Sequence, residues 1–447
     1  MKQFGKRNWL VLLLFGLLGQ IAWSVENMYF NLFVYETVAP DLDTVTLMVQ
    51  LSGIMATVAT LVAGVISDKT GNRRAFISYG YLIWGVTVAL FGCLSPALME
   101  KLFGASSAEA VSLALVFAVV GDCVMTLFGS TANDAAFNAW VTDNTETEYR
   151  GSVEGVIAVL PLGAMLVVAG GFGMLVEMMG YKLLFILLGA LISLSGIVGI
   201  FIIKDSKSIT STCSLSEIFY GLRPSVIKAH LPLYATLLAV VIYGIACQIF
   251  MPYLIIYMKT YLSFSVLEYS LVFGGAIVVG GAINIYLGRL SDRTDKVKLL
   301  YIAAAIMAAG LFGMFLAPAG SKAAALAIFG IFGFVMITGY IFVSALTGSM
   351  IRDNTPVEAV GRLQGVRMVF SVLIPMLAGP AIGNAINKAA GIVLENPGAD
   401  AMTTEYIPSP YIFLAAALVT LLLFAVLPLL KKLGKTFMEA SPRPLDE

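Results

Sequence analysis

Apolar stretches long enough to cross a lipid bilayer recur along the whole chain. They begin near residues 9, 45, 76, 110, 152 and 182, and again near 231, 268, 299, 323, 363 and 411. A helix needs roughly 20 such residues to cross the hydrocarbon core. In that solvent each backbone N–H and C=O must be paired within its own segment, so segments of this length read as helices. Only 12% of residues are charged and the mean hydropathy is +0.92, against about 25% charged in a soluble domain. The expected fold is an all-α membrane protein of twelve transmembrane helices in two pseudo-symmetric six-helix bundles. The bundles would cover 1–203 and 231–430, joined by a polar, Ser- and Thr-rich loop at 204–230 and followed by a tail at 431–447. An amphipathic piece is expected at 215–230, a partly ordered cap at 390–410, and disorder after Gly434. No cleavage site follows the first apolar stretch at signal-peptide distance, so that stretch is read as a retained span.

The two halves echo one another. Asp143-Asn144-Thr145, Glu148, Gly151, Gly155 and Val156 return as Asp353-Asn354-Thr355, Glu358, Gly361, Gly365 and Val366, each 210 positions on (353 minus 143). Gly64, Ser67, Asp68 and Thr70 return as Gly288, Ser291, Asp292 and Thr294, 224 positions on (292 minus 68). Two motifs repeated in one order at nearly one offset indicate a duplicated half, the pattern of transporters built from parallel repeats. Basic residues orient the chain. With both termini cytoplasmic, 21 of the 27 Lys and Arg residues fall inside, five fall outside (Lys101, Lys182, Lys259, Lys322, Lys388), and Arg367 lies within a span.

The loop Gly64 to Arg74, with Gly64, Asp68, Gly71 and the pair Arg73-Arg74, resembles the signature loop of the major facilitator superfamily. Its second copy keeps Gly288, Asp292 and Arg293 and departs at Asp295, where a second glycine is expected. Asp143 with Arg150-Gly151, and Asp353 with Gly361-Arg362, resemble the stretch after span four in the sugar-porter and glycoside–cation symporter branches. The resemblance implies alternating access by two rocking halves. From the residues themselves, Gly64 and Gly288 would permit close helix approach. Asp68 and Asp292 could face the N-termini of spans eleven and five. Arg73 or Arg74 could bridge to Asp143, and Lys296 or Lys298 to Asp353. Gly64, Asp68, Arg73, Arg74, Asp143, Arg150, Asp292, Arg293, Asp353 and Arg362 are therefore the candidate gating residues, expected to latch the cytoplasmic side between halves.

Ionisable groups inside spans are functional candidates by default. Glu26 lies in span one, Asp122 and Asp134 in span four, and Glu154 and Arg367 in spans five and eleven. Asp134 sits where the glycoside–cation symporters carry an acid, but their span-two carboxylates are matched by Ala56 and Thr60. Glu26, Asp122 and Asp134 are the candidate sites for a coupling proton or another cation such as Na+. For substrate, Gln20, Ser24, Asn27 and Asn31 fall on one narrow face at 100° per residue, bordered by Trp23. Tyr243, Gln248 and Tyr340 are their candidates in the second half. Amides and aromatics suit a sugar-like ligand, although hydrogen bonding between helices draws on the same residue types.

The expected function is thus secondary active transport of a small solute, a sugar or glycoside, across the plasma membrane, by a monomer. Proton-driven efflux of drugs or metabolites is the alternative, and a non-transporting sensor or scaffold on the same fold is a second. The 27 basic and 27 acidic residues balance, giving no field for nucleic acid. A single histidine and scattered cysteines offer no catalytic or metal constellation, so neither enzyme activity nor a cofactor is expected.

Overall fold

The computed structural model describes residues 5–145, 150–205, 220–291, 294–355, 360–393 and 405–440. Eleven helices among these are long and apolar enough to cross a membrane. Spans one to four are Lys6–Thr37, Leu42–Thr70, Arg73–Phe91 and Ser107–Asn144. Spans seven to twelve are Leu231–Thr260, Val266–Ile283, Lys296–Phe315, Lys322–Asn354, Gly365–Ala390 and Tyr411–Leu433. Between them runs one 48-residue segment, Gly155–Ile202. At about 1.5 Å per residue it is more than twice the bilayer core. Gly180, at φ 75° and ψ 160°, divides it into spans five and six. A side chain would be strained in that backbone conformation. Twelve spans result, with Lys6 of span one, Ile202 of span six, Leu231 of span seven and the C-terminal end of span twelve on one face, here called the terminal face. The opposite face is called distal.

Lipid-facing surfaces carry exposed apolar side chains, among them Leu10, Val58, Leu90, Val116, Leu191 and Leu418. Within a bundle the helices approach through glycines. A Cβ on Gly189 of span six would stand 2.7 Å from the Ala89 nitrogen of span three. One on Gly310 of span nine would stand 2.5 Å from the Met336 Cα of span ten. Gly189→Val should therefore destabilise the N-terminal bundle by about 1–3 kcal/mol through overpacking, read as a lowered Tm in lipid nanodiscs. An unchanged Tm would show that spans three and six are not packed this closely.

The bundles meet along two seams. Span two crosses span eleven where a Cβ on Gly53 would stand 2.7 Å from the Met376 Cβ. Span five meets span eight where one on Gly274 would stand 3.4 Å from the Gly170 Cα. Gly274 of span eight thus packs between halves, whereas Gly280 faces Ile337 and Thr338 of span ten in its own half. Spans one and seven are interrupted at matching places, by a π turn at Glu26–Phe30 and a 3-10 turn at Met251–Tyr253.

One expected boundary differs. The last helix runs Leu423–Ala440, past Gly434, so its polar end continues the helix. The linker forms a 3-10 turn at Tyr220–Leu222 and a helix at Pro224–Ala229, while 206–219 lie outside the described residues. Val226 packs there with Leu233, Tyr234, Leu237, Leu363 and Val366 of the second bundle. In the distal 390–410 loop, Val393 and Tyr406 form an isolated antiparallel bridge.

Candidate functional site

Span four carries Asp122, Thr126, Ser130 and Asp134 at intervals of four, so one helix face presents them in sequence. Asp122 is 3% exposed and Glu26, facing it from span one, is 7% exposed. The Thr126 hydroxyl oxygen lies 2.9 Å from Glu26 Oε1 and 2.9 Å from the Asp122 carbonyl oxygen. Ser52 of span two donates to Asp122 Oδ2. Glu26 Oε2 and Asp122 Oδ1 are buried without a hydrogen-bond partner. Neither carboxyl forms an ion pair among the described residues. Asp134 is half-buried and better supplied: Ser130 donates to it at 3.0 Å and the Asn133 amide at 3.3 Å. Asn133 in turn accepts from Tyr81 at 2.9 Å. Thr126, Ser130 and Ser52 were not singled out in the sequence. The spacing of four along span four was the available signal for the first two; Ser52 had none, because only packing brings span two to span four.

The polar stripe of span one is split. Asn27 is exposed, whereas Asn31 is 2% exposed. The π turn between them uses i→i+5 bonding, which takes residues beyond it off the ideal 100° register. Both amides also donate to their own helix, Asn27 to the Trp23 carbonyl at 2.8 Å and Asn31 to the Asn27 carbonyl at 3.2 Å. Gln20 is half-buried, and its carbonyl accepts from Ser24 at 2.8 Å. The Trp23 ring lies 5.1 Å from Trp84. In the second half, Tyr243 and Tyr340 pair with ring centroids 5.6 Å apart. Gln248 packs against Gly379 of span eleven. The structure therefore brings together Tyr243 and Tyr340, and leaves Asn27 exposed. It does not gather all seven candidate substrate residues around one point.

At the terminal face, each pair of repeated motifs meets within its own half. Arg73, 4% exposed, binds Asp68, reaches Asp143 at 3.1 Å and reaches Ser67 Oγ at 2.5 Å. Lys296 binds Asp353 at 2.6 Å and Ser349 at 2.8 Å. The local reason lies in the turns. Gly71, at φ 64°, ends span two, and Asn72 accepts from the Ala75 N–H to start span three. Arg73 is thereby turned inward in the first helical turn. In the second half, Asp295 caps span nine by accepting from the Val297 N–H, which accounts for an acid where a glycine was expected. Arg74 donates its backbone N–H to Asp205. The bridges expected from Arg73 to Asp143 and from Lys296 to Asp353 are thus formed, each inside one bundle, whereas Asp68, expected to face the N-terminus of span eleven, pairs with Arg73 of its own half. Among the described residues no neighbour lies within 4 Å of a Cβ placed on Gly64, so none of them approaches it closely. Asp292 and Arg293, the side chains of Arg150, Glu154 and Arg362, and the surroundings of Gly288 lie outside the described residues.

Arg73→Ala would leave Asp68 and Asp143 facing each other without their shared cation. Breaking a buried pair costs about 3–5 kcal/mol, and the two carboxylates here are about a quarter exposed. A loss near 2–3 kcal/mol is expected, read as a lower Tm. Arg73→Lys should recover only part of it, because an ammonium cannot hold two carboxylates and a hydroxyl in the fixed fork of a guanidinium. Full recovery by lysine would show that charge alone matters.

The polar contacts between halves cluster instead toward the distal face. Lys259 of span seven binds Glu36 at the end of span one, and Tyr181 of span six donates to the same carboxylate at 2.6 Å. Asp43 at the start of span two accepts from Asn384 at 2.6 Å and from Lys388 at 2.7 Å, both on span eleven. Tyr35 donates to the Tyr406 carbonyl at 3.1 Å. Deeper in, Thr46 lies 2.7 Å from the Tyr253 hydroxyl, and the Gln50 amide donates to the Leu377 carbonyl at 2.8 Å. Glu36, Asp43, Asn384, Lys259 and Lys388 gave no sequence signal beyond being charges or amides near span ends.

The family model described as the Major Facilitator Superfamily matches residues 11–349 and 236–443. No curated relative matches the chain at a significant level. Among solved structures, the chain is similar to a bacterial homolog to the human lysosomal transporter Spinster in an inward-facing, unoccupied conformation. That match has a TM-score of 0.65 and 14% identity, covering 99% of this chain and 100% of the other. The same homolog in its inward-facing, occupied conformation matches with a TM-score of 0.65 and 13% identity over 100% of both chains. Two six-helix bundles, paired loop motifs and a family match over nearly the whole length agree: the chain belongs to the major facilitator superfamily and is a multi-pass secondary transporter working by alternating access, not an enzyme.

Proposed function

We propose that this transporter moves a small neutral, polyhydroxylated solute, sugar-like in chemistry, and that a proton drives it through Glu26 and Asp122, with Asp134 beside them. The observation that carries the coupling is the pair of buried carboxyls, which among the described residues each have an oxygen without a hydrogen-bond partner and form no ion pair. Two ionised carboxylates in such a place are strongly disfavoured, so charge there must be neutralised by a bound cation or proton. A group of this kind, inside a span and between moving helices, suits a load-and-release role. The solute class rests on the exposed Asn27 amide of span one and on the Tyr243–Tyr340 pair of the second half. With the Lys- and Arg-rich face cytoplasmic, the distal contacts are the outer gate and the present state is closed to the outside.

The test is uptake by proteoliposomes under an imposed pH gradient, an imposed Na+ gradient, or neither. Accumulation of a neutral sugar only under the pH gradient is expected. Accumulation that ignores both gradients would remove coupling. Accumulation under Na+ alone would replace the proton, and pumping of substrate toward the distal side would favour efflux.

A further inference from the structure

Thr126 has one hydroxyl proton and two oxygen neighbours, each at 2.9 Å. One neighbour, the Asp122 carbonyl, can only accept. The same bond from threonine to the carbonyl four residues earlier is made by Thr57, Thr236, Thr338 and Thr420 elsewhere in the spans. It is the ordinary arrangement for threonine in a helix. With the Thr126 proton so directed, only lone pairs of its oxygen remain for Glu26. An ionised Glu26 would then place two acceptors against each other at hydrogen-bond distance in a buried site. A protonated Glu26 donates into that contact and satisfies it. Asp122 differs, because Ser52 has its own proton to give and donates to Oδ2. Asp134 differs too, with two donors and partial exposure.

Building on the coupling reading above, we propose that the proton of this site resides on Glu26 in the present conformation, and that Thr126 is the positioning residue that accepts from it. The titratable groups facing Glu26 are Asp122 and Asp134 of span four, with Cys123 beside them.

The experiment is infrared spectroscopy of the full-length protein in lipid, without substrate, following the C=O stretch of protonated carboxyl groups and its deuterium shift. The wild type should show such a band at neutral pH. Glu26→Gln should remove it and Asp122→Asn should retain it. Thr126→Val, which keeps shape but not the hydroxyl, should move the band, and Thr126→Ser should return it. Thr126→Val should also displace the pH profile of uptake, with Thr126→Ser restoring it. A band lost only in Asp122→Asn would place the proton on Asp122. Absence of the band in the wild type would overturn the assignment, and a band unmoved by Thr126→Val would remove the threonine's role. The readout needs no transport, so a Glu26 band alongside gradient-independent uptake would sink the coupling reading and spare this one.

Discussion

Glu26→Gln is expected to reduce pH-driven accumulation of substrate to background, a loss of at least tenfold, while equilibrium exchange of labelled for unlabelled substrate stays within a few-fold of wild type. The amide matches the protonated carboxyl in shape and can still donate to Thr126. It cannot release a proton, so the site behaves as permanently loaded. Exchange needs only the loaded protein to reorient, whereas net uptake needs the empty, deprotonated protein to return. A ligand drives a conformational equilibrium only through its different affinity for the two states, and a group that never titrates has no such difference for protons. Asp122→Asn should show the same split in a weaker form, because Ser52 can still donate to the amide oxygen. Equal loss of exchange and accumulation in Glu26→Gln would place the residue in folding or substrate binding instead.

The second large effect is expected at the distal face. Lys259→Ala combined with Lys388→Ala removes both inter-bundle ion pairs but leaves neither acid stranded. Glu36 keeps the Tyr181 hydroxyl, and Asp43 keeps the Asn384 amide. The pairs are partly exposed, with Lys388 at 42% and Lys259 at 26%, so each contributes about 1 kcal/mol. Together they hold the distal side shut by about 2 kcal/mol, a roughly thirtyfold change in population. Pulsed dipolar distances between spin labels at positions 100 and 267, with the native cysteines replaced, should show a longer distal separation becoming populated. A distance distribution identical to wild type would mean that Gln50–Leu377 and the glycine seams carry the closure unaided.

The bundle plan was legible because lipid imposes it. Segment length and the duplicated motifs act locally or through counting. The buried acids were legible for the same reason, since any carboxyl within an apolar run stands out. Of the terminal-face contacts, the bridges from Arg73 to Asp143 and from Lys296 to Asp353 were legible, because the repeated motifs carry both partners. The placement of Asp68 was misread: it was expected against span eleven of the other half, and the first turn of span three brings Arg73 to it inside one half. The distal acids and lysines looked like ordinary loop charges until spans one, two, seven and eleven converged.

By itself, then, the sequence determined a twelve-span, twofold repeated membrane protein with three candidate coupling acids in spans one and four, because hydrophobic length and charge within apolar runs are properties of the chain alone. Only the tertiary structure decided which charges pair, that Asn31 leaves the stripe of Asn27 at a π turn, and that Thr126 stands between Glu26 and Asp122. Those outcomes depend on contacts between residues up to 345 positions apart, set by how helices cross and not by the order in which their residues are read.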